Sequence, residues 1–202
     1  MKKIMFIIGG IAMAGLSGCA LSTETVNLQP KVSVQTLPKA TIATAIKINP
    51  LTDARGVSGN LIIHKLNGYG DEATGGYTGN VSLASYMQTT LTQSFQALNY
   101  HLVQQGEQLT LTGRILAFTC TPVTGLLSGS YQCNLQIEFS LDSKTQQVWD
   151  DVISGYGSAR TADPSNLGFI LSQASNNLVR NLLSNTEFQA VLQHPHNTSK
   201  RK

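Results

Sequence analysis

Apolar positions along this chain change their period several times, and each change predicts an element. Behind Lys2 and Lys3, Ile4 to Leu16 is an unbroken run of apolar residues and glycine. Ile42, Thr44, Ile46 and Ile48 alternate with Ala43, Ala45, Lys47 and Asn49, the signature of a strand, closed by Pro50 and Asp53-Ala54-Arg55-Gly56. Leu61 to Leu66 predicts a second short strand. Residues 67–80, with Gly68, Gly70, Gly75, Gly76 and Gly79 around Tyr69 and Tyr77, read as a glycine-rich loop. Leu83, Met87, Leu91, Phe95 and Leu98 then form one helical stripe, capped by Asn80 or Ser82 and ended by a left-handed Asn99. Tyr100 to Val103 re-enters the sheet.

Two long strands follow, Leu109 to Thr121 and Tyr131 to Asp142. In the second, Tyr131, Cys133, Leu135, Ile137, Phe139 and Leu141 alternate with polar residues, as in a sheet with one buried face. A hairpin in which facing residue numbers sum to 253 sets Phe118 against Leu135, Leu116 against Ile137 and Cys120 against Cys133. A further strand spans Val148 to Ala159. Asp163-Pro164 starts a helix with Leu167, Leu171, Ala174, Leu178 and Leu182 on its buried side, and a short second helix carries Phe188, Val191 and Leu192. This order predicts an α+β fold: an antiparallel β-sheet with two main helices packed on one face. Residues 41–192 form the single domain, and 193–202 form a disordered basic tail.

The N-terminal run of 13 residues would span about 20 Å as a helix, short of a ~30 Å hydrocarbon core, so it reads as a signal segment. It ends in Leu16-Ser17-Gly18-Cys19, which resembles the bacterial lipoprotein signal. That resemblance implies removal of residues 1–18 and a diacylglycerol on Cys19, with two or more acyl chains giving stable anchoring. Ala20 stands where an aspartate would imply retention in the inner membrane. The resemblance therefore implies an outer-membrane protein facing the periplasm. Residues 19–40, with Pro30 and Pro38, read as a flexible tether behind the lipidated cysteine, although Val32-Ser33-Val34 could begin the sheet.

Composition narrows the partners. Charged residues are 12% of the chain, while Ser, Thr, Asn and Gln supply 66 of 202 positions. The net charge of +3 is too weak for a nucleic-acid footprint, and much of it sits in Lys2, Lys3 and Lys200-Arg201-Lys202. With Cys19 carrying lipid, Cys120 and Cys133 are left as a disulfide, favoured by an oxidising compartment, or as two buried thiols. A redox pair is disfavoured by the lack of Cys-x-x-Cys and of flanking His or Lys. His194-Pro195-His196 lacks a third ligand, so no metal is expected, and no motif points to a cofactor. Asp150 and Asp151, adjacent in a strand, point to opposite faces and cannot share a site. Asp53 and Arg55 are expected to pair and anchor the adjoining loop. Candidate partner contacts are Tyr69 and Tyr77 in the glycine-rich segment and Leu126 and Leu127 at the hairpin tip.

The strand ending in Asp53-Ala54-Arg55 is followed by a helix running into Leu98-Asn99-Tyr100, then a long hairpin. Val148-Trp149 comes next, and after it a helix reaching Asn185-Thr186-Glu187-Phe188. With the signal and tether, this order resembles the YajG-like family of bacterial lipoproteins over nearly the whole chain. The resemblance implies no enzymatic activity and supplies no catalytic residues. Asn99 stands where that pattern often has glycine, and neither the cysteine pair nor Leu126-Leu127 belongs to it. The leading expectation is a lipid-anchored, non-enzymatic periplasmic domain that binds an envelope protein. The alternatives are an accessory of lipid or lipopolysaccharide transport, which needs an apolar groove between helices and sheet, and, more remotely, an envelope-polymer hydrolase.

Overall fold

Alternating positions build the longest strands of the protein. The computed structural model describes residues 22–34, 37, 39–40, 44–66, 72–125, 128–159 and 166–194. Among these the elements run β1 (Glu24–Val26), β2 (Ile46–Ile48), β3 (Thr52–Asp53), β4 (Leu61–Leu66), β5 (Glu72–Gly79), α1 (Leu83–Ala97), β6 (Leu109–Gly125), β7 (Ser128–Ser143), β8 (Gln147–Ala159), α2 (Leu167–Ser184) and α3 (Thr186–Gln193). The α+β class follows the sequence. There are two sheets, one ordered β1-β5-β4 and one ordered β2-β6-β7-β8 with β3 also on β6. The hairpins are antiparallel, but β1 lies parallel to β5, and β2 and β3 lie parallel to β6. The parallel β2–β6 pair is possible because α1 provides the crossover that parallel neighbours require.

The inward row of β7 (Cys133, Leu135, Ile137, Phe139 and Leu141) is wholly buried, as its alternation predicts. Leu83, Met87, Leu91, Phe95 and Leu98 of α1 and Leu167, Leu171, Ala174, Leu178 and Leu182 of α2 join it in one core. Ser82 caps α1 by accepting the Ser85 N–H at 3.1 Å, and Asn99 leaves the helix at φ 62°. The Asp163-Pro164 start of α2 and the 195–202 tail lie outside the described residues.

Four details depart from the sequence reading. The hairpin register sums to 253 from its tip down to Ala117–Gln136, then shifts by one, so that Ile115, not Leu116, faces Ile137. The shift is a β-bulge at Leu116. It lets Ile115 and Phe118, three residues apart, both point into the core. Secondly, residues 72–79 form strand β5 and are not part of a loop. A Cβ on Gly76 would sit 2.7 Å from Leu61 Cδ1 and 2.9 Å from the Ile63 carbonyl. That glycine serves close approach across the pair.

Thirdly, much of the expected tether belongs to the domain. Glu24–Val26 is the edge strand beside β5, and Leu28 and Val34 are buried. Val32-Ser33-Val34 is not a strand, because Asn176 of α2 holds that backbone instead. Its Oδ1 accepts the Ser33 N–H at 2.8 Å, and its Nδ2 donates to the Lys31 carbonyl at 2.6 Å. Fourthly, residues 100–103 give only an isolated bridge, Leu102 to Ile46, in place of a strand.

α2 lies directly on β8. A Cβ at Gly155 would be 2.0 Å from the Ala174 carbonyl oxygen, and one at Gly157 would be 2.1 Å from that of Ile170. Gly155-Tyr156-Gly157 is therefore a seat for a helix backbone.

Candidate functional site

A groove of about 630 Å³ lies between β1 and the first turns of α2. Glu24, Thr25, Val26, Asn27 and Lys31 line one side, Gly168, Phe169 and Ser172 the other, and Tyr77 contributes from β5. A Cβ at Gly168 would make only ordinary contact, 3.4 Å from the Asn27 carbonyl oxygen. Phe169 is 56% exposed, an apolar ring left in water at the groove, whereas Val152 and Tyr156 are exposed on β8. The lining mixes charged, amide and aromatic groups. Of the expected contact residues, Tyr77 is half-buried at the groove, with Lys65 Nζ 5.1 Å from its ring centroid. Tyr69, Leu126, Leu127 and Cys19 lie outside the described residues.

Lys65 fastens the start of the fold. Its ammonium, on a side chain only 9% exposed, bonds the Glu24 carboxylate at 2.5 Å and donates to Ser22 Oγ at 3.1 Å. The chain entering β1 is thus tied to β4, two strands away in the same sheet.

Asp53 and Arg55 form a clamp. Arg55 Nε and Nη2 donate to the two carboxylate oxygens of Asp53 at 2.9 and 2.7 Å. The remaining capacity of the guanidinium goes to the carbonyls of Ile62, at 2.5 Å, and Leu61, at 2.9 Å. Because β3 belongs to the five-stranded sheet and β4 to the three-stranded one, a single arginine bridges the two sheets. Lysine lacks the planar fork that this needs. Burial pushes the Asp53 carboxyl up, but hydrogen bonds and charge from Arg55 outweigh it and hold the group below its ordinary value. The linked stability is present above the unfolded pKa, about 3.9, and is lost as pH falls through the lower folded value. An Asp53→Asn variant is therefore expected to be less stable than wild type at pH 7. The gap should narrow progressively below about pH 4 in denaturant titrations. A gap independent of pH would sink the assignment.

Cys120 and Cys133 are disulfide-bonded, facing each other across β6 and β7.

An amide ladder along α2 escaped the sequence reading. β8 is the edge of its sheet, with the backbone groups of residues 154, 156 and 158 directed outward. Gln173 Oε1 accepts the Ser158 N–H at 3.0 Å, Asn177 donates to the Tyr156 carbonyl at 2.7 Å, and Asn181 donates to that of Ser154 at 2.8 Å. Four helical residues rise about 6 Å and two strand residues about 6.6 Å, so steps of four and two keep pace. Asn185 continues the series to Asp151 while its Oδ1 caps α3. The readable signal was an amide recurring every fourth residue at 173, 177, 181 and 185. The ladder covers an edge that would otherwise template strand pairing. Converting Asn177 and Asn181 together to alanine is expected to cost about 1 kcal/mol or a little more. Self-association on warming, followed by light scattering, should rise; a double variant that stays monomeric would count against the ladder's protective role.

Among the described residues no three His, Cys, Asp or Glu side chains come together, and no helix is long and apolar enough to cross a membrane. No protein-family model matches the chain, and no curated protein matches it in sequence. Solved structures do share the fold. A Xanthomonas campestris protein of the family DUF330 aligns at 11% identity over 82% of this chain and 96% of its own, with a TM-score of 0.59. An uncharacterized protein aligns at 11% identity over 80% and 97%, with a TM-score of 0.56. At that identity the likeness is one of fold alone.

Proposed function

We propose that this chain is a lipid-anchored, non-enzymatic interaction domain of the bacterial cell envelope, held through Cys19 at the outer membrane and facing the periplasm. The observation that favours binding over lipid transport is the seam between α2 and β8. Backbone meets backbone at Gly155 and Gly157, which leaves no room for an apolar ligand between α2 and β8 at those two positions. The groove beside β1 sets Glu24, Asn27 and Lys31 among the apolar Val26, Tyr77 and Phe169, a mixed surface of the kind that protein partners use. Glu24 at the groove pairs with Lys65, and elsewhere Asp53 pairs with Arg55 and Arg114 with Glu138. The resemblance to YajG-like lipoproteins points the same way. A photoreactive residue in place of Phe169, illuminated in intact cells, is expected to capture one envelope protein. Adducts with lipid alone would transfer the reading to lipid transport, and recovery of a glycan fragment would favour the hydrolase.

A further inference from the structure

We infer that the outer edge of β1 takes an extended, acidic segment of a partner protein, which joins the three-stranded sheet as a fourth strand. This deepens, and rests on, the reading of the chain as an interaction domain. The other sheet edges are met by groups of the chain itself. The amides of α2 bond the outward backbone of β8. On β2, Ile46 donates to the His101 carbonyl at 2.9 Å and accepts the Val103 N–H at 3.0 Å. At β4, Arg55 takes up the Leu61 and Ile62 carbonyls.

β1 is different. Its Val26 carbonyl accepts the Asn80 N–H at 3.2 Å, and the Leu28 N–H turns the same way, to Asn80 Oδ1 at 2.7 Å. Backbone groups alternate in direction along a strand, so those of Thr25 point away from β5. Among the described residues neither the Thr25 N–H nor its carbonyl has a partner. The groove opens along this edge, and its volume of about 630 Å³ is that of a ligand cleft. A strand seated there lies ~4.8 Å from β1. Main-chain bonds to Thr25 hold it, and side chains set the choice of partner.

Those side chains meet exposed Phe169 and half-buried Tyr77 on the apolar side. Charge decides the rest. Glu24 is already neutralised by Lys65, whereas Lys31, exposed at the same groove, belongs to no ion pair among the described residues. The uncompensated charge is therefore positive, and a carboxylate on the incoming segment answers it. A second copy of β1 would bring the same lysine and only the engaged Glu24, so it does not supply what the groove lacks.

The test pans random dodecapeptides displayed on phage against the full chain in detergent micelles. Enriched peptides are expected to be rich in β-branched residues and to carry Asp or Glu. The best of them, synthesised and added in excess, should slow hydrogen exchange at the Thr25 amide about tenfold or more. Thr25→Pro removes the outward N–H and leaves the β5 ladder intact, so it should weaken binding about tenfold or more, while Thr25→Ser does not. Lys31→Glu should weaken it by about tenfold as well. Should Thr25→Pro fail to fold, the wild-type amide exchange decides. No enriched peptide, enrichment of basic ones, or binding that leaves the Thr25 amide unprotected would overturn the inference. So would a dimer, seen by light scattering, that Thr25→Pro dissolves, since the edge would then belong to a second copy. Any of these results beside continued capture of one envelope protein from position 169 would end the added strand and keep the interaction domain. Failure of that capture as well would end both.

Discussion

Replacing Gly155 by valine is expected to lower the unfolding free energy by about 3 kcal/mol or more, enough to leave much of the protein unfolded at physiological temperature. The cause is steric and lies in the backbone. Even a methyl group at this position meets the Ala174 carbonyl oxygen at 2.0 Å and the Leu178 nitrogen at 2.5 Å. Neither atom belongs to a side chain that can rotate aside, so α2 must lift from β8. Lifting it would loosen Ala174, Leu178 and Leu182, all fully buried, and would pull the amides of Asn177 and Asn181 off the strand edge. Valine at Ser154, whose side chain points to the other face of β8, serves as the control and should cost far less. Equilibrium denaturation of both variants distinguishes the outcomes. Equal midpoints would mean that the α2–β8 seam is not as tight as described.

Loss of the disulfide is the second large expected effect. Cys120 and Cys133 are 13 residues apart and close a hairpin loop whose cross-link is worth about 3 kcal/mol in the chain-entropy model. Cys133 is fully buried, so its replacement by alanine also removes packed sulfur. The clean experiment compares wild type with and without reductant, beside a Cys120→Ala/Cys133→Ala double variant. Reductant should shift the wild-type midpoint downward and leave the double variant unmoved. A wild type indifferent to reductant would show that the 16 paired positions of β6 and β7 already hold the hairpin closed without the bond.

Most of the second sheet was legible because β7 obeys strict alternation, and alternation fixes a face. From Cys133 to Leu141 every second residue is in the core, and the register with β6 followed as far as Ala117. It failed at Leu116 because a bulge carries no composition signature when all the residues around it are apolar. β5 was missed for the opposite reason. Glycine normally signals a turn, yet at Gly76 and Gly79 it answers contacts from β4 and from Leu28 that only tertiary structure creates. β1 was missed because three residues, one of them buried, are too few to show a period. The Asp53–Arg55 pairing could be guessed from spacing, but the partners that make it a clamp between sheets, the carbonyls of Leu61 and Ile62, leave no mark on side-chain identity. The groove rests on Phe169, whose place on the exposed side of α2 is readable but whose neighbours in β1 are not.

The order in which the edge of β8 and its cover are made has a consequence for folding. β8 ends at Ala159, and the amides that mask it begin at Gln173, further along the chain. Any intermediate in which β6, β7 and β8 have paired but α2 has not docked carries three outward-directed residues on a naked edge, beside the exposed Val152 and Tyr156. Such an edge is an aggregation hazard in proportion to how long it persists. A chain cut short before Leu167 would hold that state permanently. The last fifth or so of the sequence thus acts as a built-in chaperone for the three strands that precede it.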